Sequence, residues 1–520
     1  MAIHINKQLL TLSAAVTIAA CSNMSQQQAE HAKAGNLSNF TENPRSAAFQ
    51  ENIFGREIND PYRWMEQQKN QSEVYSWMKA SGAHTSQQLD QLPGRQRLVD
   101  NLTKTFQGTD QFSGLKQFDN RLFFWKRAAG ENNQKLILKE NGQERVLLDP
   151  GKFSDDADKP VNINSYTISP NGQLIAFHLD SGGSEIGEIR FMEIASGKLL
   201  ENKITPVWSE FPARWLDDNT LVGTEMTYAI ANDPIQGMQA YRYHLKQNRK
   251  EILLGMGIEN SPEFSPQDFP GIMVLDKESD WLIGYGSGAR SSFKIFNQKR
   301  SAGNNQWNEL ADFNDNMADI AQAKNRLFLL SRKDTPKGQV IALDLSDKVQ
   351  LSDAKVIIPE SDKSITRIRI SKDVLYFTTQ ENGFDSLWYQ KLNSNSPQQI
   401  QLPNPGVISN LHANEVGVTF SVSSPLRNTQ YLQASLETVR ELGIAADSYP
   451  DANKFEVVRE LAPSADGVKV PMTIIQARNL NKDGNNPVFI NAYGAYGFTI
   501  KPVYRNSNFA WLEEGGVRET

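Results

Sequence analysis

Ser169-Pro-Asn-Gly-Gln-Leu-Ile-Ala-Phe177 is a polar turn followed by a short run of apolar strand formers. The same unit returns as Asp119-Asn-Arg-Leu-Phe-Phe-Trp125, Asp217-Asp-Asn-Thr-Leu-Val-Gly223, Glu278-Ser-Asp-Trp-Leu-Ile-Gly284 and Lys324-Asn-Arg-Leu-Phe-Leu-Leu330. It appears twice more, as Ser371-Lys-Asp-Val-Leu-Tyr-Phe377 and Ala413-Asn-Glu-Val-Gly-Val-Thr-Phe420. The turns lie roughly 40 to 60 residues apart, near the length of a four-stranded propeller blade. Seven units predict a mainly β fold with a seven-bladed β-propeller over residues 105–450.

Outward from the repeats the pattern changes. Residues 47–104 predict helices: Val74, Trp77 and Met78 keep i, i+3, i+4 spacing, and Leu89, Leu92, Leu98 and Leu102 continue the apolar series. Pro93-Gly94 predicts a break between two helices. Trp64 and Trp77 read as core, and Asp60 and Arg63 as structural contacts. Past residue 452, Phe455-Glu-Val-Val-Arg-Glu-Leu461, Lys469-Val-Pro-Met-Thr-Ile-Ile475 and Pro487-Val-Phe-Ile490 read as strands. Asp466-Gly467 is the expected hairpin turn between the first two.

Charge and hydropathy narrow the function classes. A net charge of −6 without a basic run argues against a nucleic-acid surface. No internal segment reaches the roughly 18 to 20 apolar residues of a membrane span. At the N-terminus, His4 and Lys7 precede the apolar run Leu9–Ala20, the make-up of a signal peptide over residues 1–20. Ile18-Ala-Ala-Cys21 resembles the bacterial lipoprotein box, which would make Cys21 the lipidated first residue of the mature chain. Residues 21–46, rich in Gln, Ser, Asn and Ala, then read as a lipidated tether. Cys21 is the sole cysteine, so no internal disulfide can form. The expected address is the bacterial periplasm, with a lipid anchor in a membrane, the outer one by preference.

Taken together the motifs resemble the prolyl oligopeptidases, serine peptidases with a seven-bladed propeller mounted over an α/β-hydrolase domain. The resemblance rests on Ile58-Asn-Asp-Pro-Tyr-Arg-Trp-Met-Glu66, Arg145-Val-Leu-Leu-Asp-Pro150 and Ile168-Ser-Pro-Asn-Gly-Gln-Leu-Ile-Ala-Phe177. It continues in Ser464-Ala-Asp-Gly-Val-Lys-Val-Pro-Met472, Tyr493-Gly-Ala-Tyr-Gly-Phe498 with Pro502, and Trp511-Leu-Glu-Glu-Gly-Gly-Val517. The resemblance implies that residues 47–104 are the N-terminal helical segment of the hydrolase domain and that residues 451–520 are its first strands. It implies hydrolysis of short, proline-containing peptides, with the propeller as a size filter. Tyr493 matches the family's oxyanion-hole tyrosine, and Tyr496 the aromatic wall of the pocket for the residue before the scissile bond. Tyr-Gly-Ala-Tyr-Gly also resembles related oligopeptidases that cut after basic residues, so specificity stays open.

None of the serines has glycine at both −2 and +2, so the Gly-x-Ser-x-Gly elbow is missing from this sequence. The family's nucleophile, aspartate and histidine find no match here. The expectation is therefore a truncated, incomplete hydrolase domain that is inactive alone. Two alternatives remain: a propeller-based binding lipoprotein without catalysis, and a second polypeptide that completes the sheet. A monomer without cofactor is expected. Gly284-Tyr-Gly-Ser-Gly288 reads as a hairpin turn, and Asp312, Asp315 and Asp319 as solvated loop charges. His84, His178, His244 and His412 lack metal-ligand spacing, so no metal site is expected.

Overall fold

Each turn-and-strand repeat occupies the same place in the fold. It forms the turn between the first and second strands of a four-stranded antiparallel sheet, then the second strand itself, as in Leu174–Ser181, Trp281–Ser287 and Arg326–Ser331. Among the described residues of the computed structural model there are seven such sheets, spanning 111–148, 161–208, 214–255, 269–311, 317–358, 364–400 and 407–445. These are the seven expected blades. The described residues are 43–154, 160–228, 230, 233–301, 306–494 and 498–520. The signal segment, Cys21, most of the tether and Tyr496 lie outside them.

The blades follow from two-sided burial. All residues of Thr220–Glu225 and Trp281–Ser287 are buried, because neighbouring blades cover both faces of these second strands. One apolar cluster joins blades 1 and 2 through Phe123, Leu136 and Phe177, and another joins blades 4 and 5 through Ile283, Leu327 and Leu329. Every blade consists of consecutive strands, so blades 7 and 1 close the ring by side chains rather than by a shared ladder. Tyr431 packs with Leu115 and Phe124 there, its hydroxyl donating to Phe112 O at 3.2 Å. Gln433 Nε2 donates to Gln117 Oε1 at 3.0 Å. The first strands of blades 5 and 6, 6 and 7, and 7 and 1 touch each other, which puts them innermost.

Two expectations inside the propeller are corrected. Gly284 to Ser287 are ladder residues of a blade strand, not a hairpin turn. Tyr285 lies opposite Gly271, where an added Cβ would sit 2.2 Å from its ring, so glycine is needed for that ring to pack flat on the strand. Asp312 and Asp315 cap a short 3₁₀ turn, Phe313–Asp315. Asp319, two residues into the next strand, is buried rather than solvated, and its Oδ2 accepts from Arg369 Nη1 at 3.0 Å. The partner lies 50 residues away in the sequence, which is why local reading misplaces it.

The chain divides into two compact units, one within Asn6–Lys104 and one built on Thr105–Thr520. The smaller departs from the all-helical expectation. It begins with a hairpin, Gln50–Ile53 against Arg56–Asn59, whose turn places Phe54 and Gly55 at φ 49° and 78°. A helix cannot pass through two left-handed residues. Helices α1 (Gln71–Asp90) and α2 (Arg95–Gln107) follow, separated at Pro93-Gly94 as expected, with Gly94 at φ +82°. Trp64 is buried, its Nε1 donating to Arg45 O at 2.8 Å, while Trp77 is only half-buried. Arg63 Nε donates to Asp60 Oδ2 at 3.0 Å, the structural contact anticipated for that pair.

Past the propeller, the strands run across the sheet in the order Phe455–Pro463, Lys469–Ala477, Val517–Glu519, Val488–Ile490. The last two pair in parallel and the others antiparallel. Gly467 at φ +84° makes the hairpin turn expected at Asp466-Gly467. Helix α3 (Asn506–Glu513) packs Phe509 and Leu512 against Phe455 and Ile475. Tyr449 stacks on Phe509 at 4.4 Å.

Candidate functional site

Tyr493 follows the strand Val488–Ile490 in the loop past Asn491, whose N–H donates to Glu519 O at 3.0 Å. That bond anchors the loop's start on the neighbouring strand. The Tyr493 ring is 41% exposed and meets Phe498 edge-on, with centroids 5.9 Å apart. An aromatic brace on one side and solvent on the other leave the phenol able to donate to an oxygen that gains charge. Tyr496, the expected pocket wall, lies outside the described residues.

Asn491 also lines a cleft with Thr473, Lys501, Arg505, Arg518 and Thr520. Its base is held by reciprocal bonds, Thr473 N to Thr520 O at 2.8 Å and Thr520 N to Thr473 O at 2.9 Å. Burial lowers the proton affinity of Arg505, and burial followed by the field of Arg505 does the same to Arg518. Arg518 is further seated over the Phe489 ring at 3.9 Å. The two guanidiniums make this cleft cationic.

Lys501 contributes no free charge. Its Nζ donates to both oxygens of Asp385, at 2.8 and 2.9 Å, and Asp385 Oδ2 also accepts from Ile408 N at 2.8 Å. Asp385 sits just past the Asn382-Gly383 turn of blade 6, both turn residues having positive φ (49° and 80°), as a two-residue hairpin with matching twist requires. The turn carries Phe384 under Arg459, whose guanidinium carbon lies 3.8 Å from the ring centroid. A Cβ on Gly383 would sit 3.3 Å from Arg459 Nη1 and 3.5 Å from Pro502 Cδ. So blade 6 bears directly on the C-terminal sheet, through a charge pair and a cation–π contact. Sequence reading misses Asp385, Arg459 and Lys501. Its one available signal is Asn-Gly between apolar runs, which marks the turn but not its target.

Chemically, the described geometry supplies an exposed hydroxyl donor, a cationic cleft beside it and a braced floor.

A family profile described as prolyl oligopeptidase, N-terminal beta-propeller domain, matches residues 42–438. The chain is similar to a prolyl endopeptidase of Elizabethkingia meningoseptica, 21% identical over 482 residues, covering 89% of this chain and 65% of the relative. It is similar at 20% identity to dipeptidyl aminopeptidase BI of Pseudoxanthomonas mexicana, over 89% of this chain and 66% of that one. The chain thus spans about two thirds of the length of the curated relatives it matches. A solved prolyl endopeptidase superposes with a TM-score of 0.81 at 21% identity, covering 92% of this chain and 70% of the other. Prolyl oligopeptidase B from Galerina marginata gives 0.78 at 15%, covering 92% and 71%. These structural likenesses speak for the fold; the profile, spanning most of the chain, speaks for descent. By that measure the chain belongs to the prolyl oligopeptidase family.

Proposed function

We propose that this chain is the propeller-bearing, peptide-admitting part of a prolyl oligopeptidase-type peptidase, and that it does not hydrolyse peptides by itself. The observation that carries the second half is the missing elbow: no serine is flanked by glycines at −2 and +2. A hydroxyl donor such as Tyr493 can stabilise an oxyanion only after a nucleophile has created one. Short peptides, proline-containing ones first, are the ligands of this reading, with Tyr493 the donor, Tyr496 the pocket wall and the propeller the size filter. The chain is placed in the periplasm as a monomer, held at the membrane through a lipid on Cys21.

The test is to purify the chain and offer it a blocked Gly-Pro p-nitroanilide together with a fluorophosphonate serine probe. Neither chromophore release nor labelling is expected. Turnover that survives further purification would overturn the claim of inactivity. In the same expression, an alkynyl palmitate label that disappears in C21S checks the anchor, and a label that persists removes Cys21 from the reading.

A further inference from the structure

Strand register builds the cleft beside Tyr493. Ile475 stands opposite Arg518, and Thr473 and Thr520 exchange both of their backbone hydrogen bonds. Alternation therefore turns Thr473, Ile475, Arg518 and Thr520 to one face of the C-terminal sheet. Residues 501–505 and the first turn of α3 close over that face, bringing Arg505 and Asn508 to it. Asn491 completes the wall from the end of the neighbouring strand, two residues before Tyr493. Two residues of chain span at most about 7 Å, so one short peptide can meet both the cleft and the phenol.

The polar side chains of this cleft are not used up by the protein. Asn508 is 7% exposed, yet among the described residues its side-chain amide makes no hydrogen bond, and neither do the Asn491 amide and the Thr473 hydroxyl. Lys501 is matched by Asp385, but the two guanidiniums are not matched. No carboxylate among the described residues lies within 4.0 Å of Arg505 or Arg518. Glu519, next along the strand from Arg518, alternates to the other face. Burial alone lowers Arg505, burial and then the Arg505 field lower Arg518, and no acidic group raises either. Two guanidiniums, two amides and a hydroxyl around one small space suit an oxyanion. The space is about 10 Å³, room for a group near the size of one water, which favours a carboxylate oxygen over a bulkier phosphate or ring.

We propose that this cleft binds a carboxylate, the free α-carboxyl end of a short peptide, with Arg505 and Arg518 as its charged donors and Asn508 as a neutral one. The proposal rests on the reading that short peptides are the ligands of this chain. It adds a terminal charge to size as a criterion of choice.

The test is calorimetry on the full chain at low salt with three N-acetylated tripeptides: Gly-Pro-Ala as the free acid, Gly-Pro-Ala amide and Gly-Pro-Glu amide. The free acid should bind at least about tenfold tighter than its amide. That preference should shrink severalfold at about 0.5 M NaCl as the charges are screened. Arg505→Gln, and separately Arg518→Gln, should each bring the preference down to about threefold or less. Salt dependence needs no variant, so it decides the matter even if both variants misfold. A Glu amide as tight as the free acid overturns the assignment to the peptide's terminus. Equal binding of all three overturns the carboxylate site and leaves the peptide reading standing. If none of them binds, the peptide reading fails and the proposal falls with it.

Discussion

The blades and the C-terminal sheet are both four-stranded, yet they treat equally apolar strands in opposite ways. Every residue of Trp281–Ser287 in blade 4 is buried, whereas Val488, Phe489 and Ile490 are 47, 51 and 67% exposed. The difference lies in cover. A blade strand has another blade against each face, while in the C-terminal sheet α3 covers only the region around Phe455 and Ile475. Val488–Ile490 also lies at the sheet edge, with a single neighbour in Val517–Glu519. Apolar composition makes a strand able to be core; a partner layer makes it core.

The largest expected effect lies where the propeller holds a buried charge pair. Asp319→Asn should cost about 3 to 5 kcal/mol, because Arg369 then stays buried without its counter-charge. Denaturant unfolding of the propeller checks this, and a loss below about 1 kcal/mol would show the pair to be dispensable. The pH dependence follows the same pair. Burial alone would raise the Asp319 carboxyl, but the field of Arg369 overrides burial and holds it well below the usual carboxylate range. A folded-state value below the unfolded one means the stabilisation is complete above about pH 4 and drains away as pH falls further. The acid limb of the wild-type stability curve should therefore be steeper than that of D319N.

A smaller and more local effect is expected in the other region. Phe509→Ala should cost about 3 kcal/mol by emptying the contact among Tyr449, Phe455 and Leu512. Its signature is spatial: amide exchange should speed up in Phe455–Pro463 and Val517–Glu519 and stay unchanged in Arg326–Ser331 of blade 5. Uniform acceleration would mean that the two regions unfold as one, and the contrast between them would lose its energetic meaning.

The smallest effect tests cover directly. Ile490→Lys should change stability by no more than about 0.5 kcal/mol, since the side chain already faces water. The same change at Ile283, fully buried between blades 4 and 5, should prevent folding of that part of the ring. A large loss at Ile490 in a melting experiment would reveal a covering layer and erase the distinction.

Legibility in the sequence follows the range of the interactions involved. The blades can be read because a tight polar turn and a strand buried on both faces leave their marks within about ten residues, seven times over. The Phe54-Gly55 hairpin escapes a reading by helical spacing, since its strands are four residues each and mostly exposed. Gly284-Tyr-Gly-Ser-Gly288 misleads because glycine usually marks a turn, whereas here Gly284 makes room for Trp307 and for Leu254 of blade 3, and Gly286 for the Phe264 ring. Tyr493 is reached only through its motif, and nothing local distinguishes it from a turn tyrosine. The Asp385–Lys501 pair joins residues 116 positions apart and leaves no local trace.

By itself, then, the sequence determined the blade number, the paired helices, the C-terminal strands and the family, because local alternation, turn chemistry and contiguous motifs encode them. Only the tertiary structure decided which charges are buried, which pair, and which stay open. Folding brings Arg369 to Asp319 and Lys501 to Asp385 across 50 and 116 residues of chain, and the energy of a charge depends on what folding puts beside it.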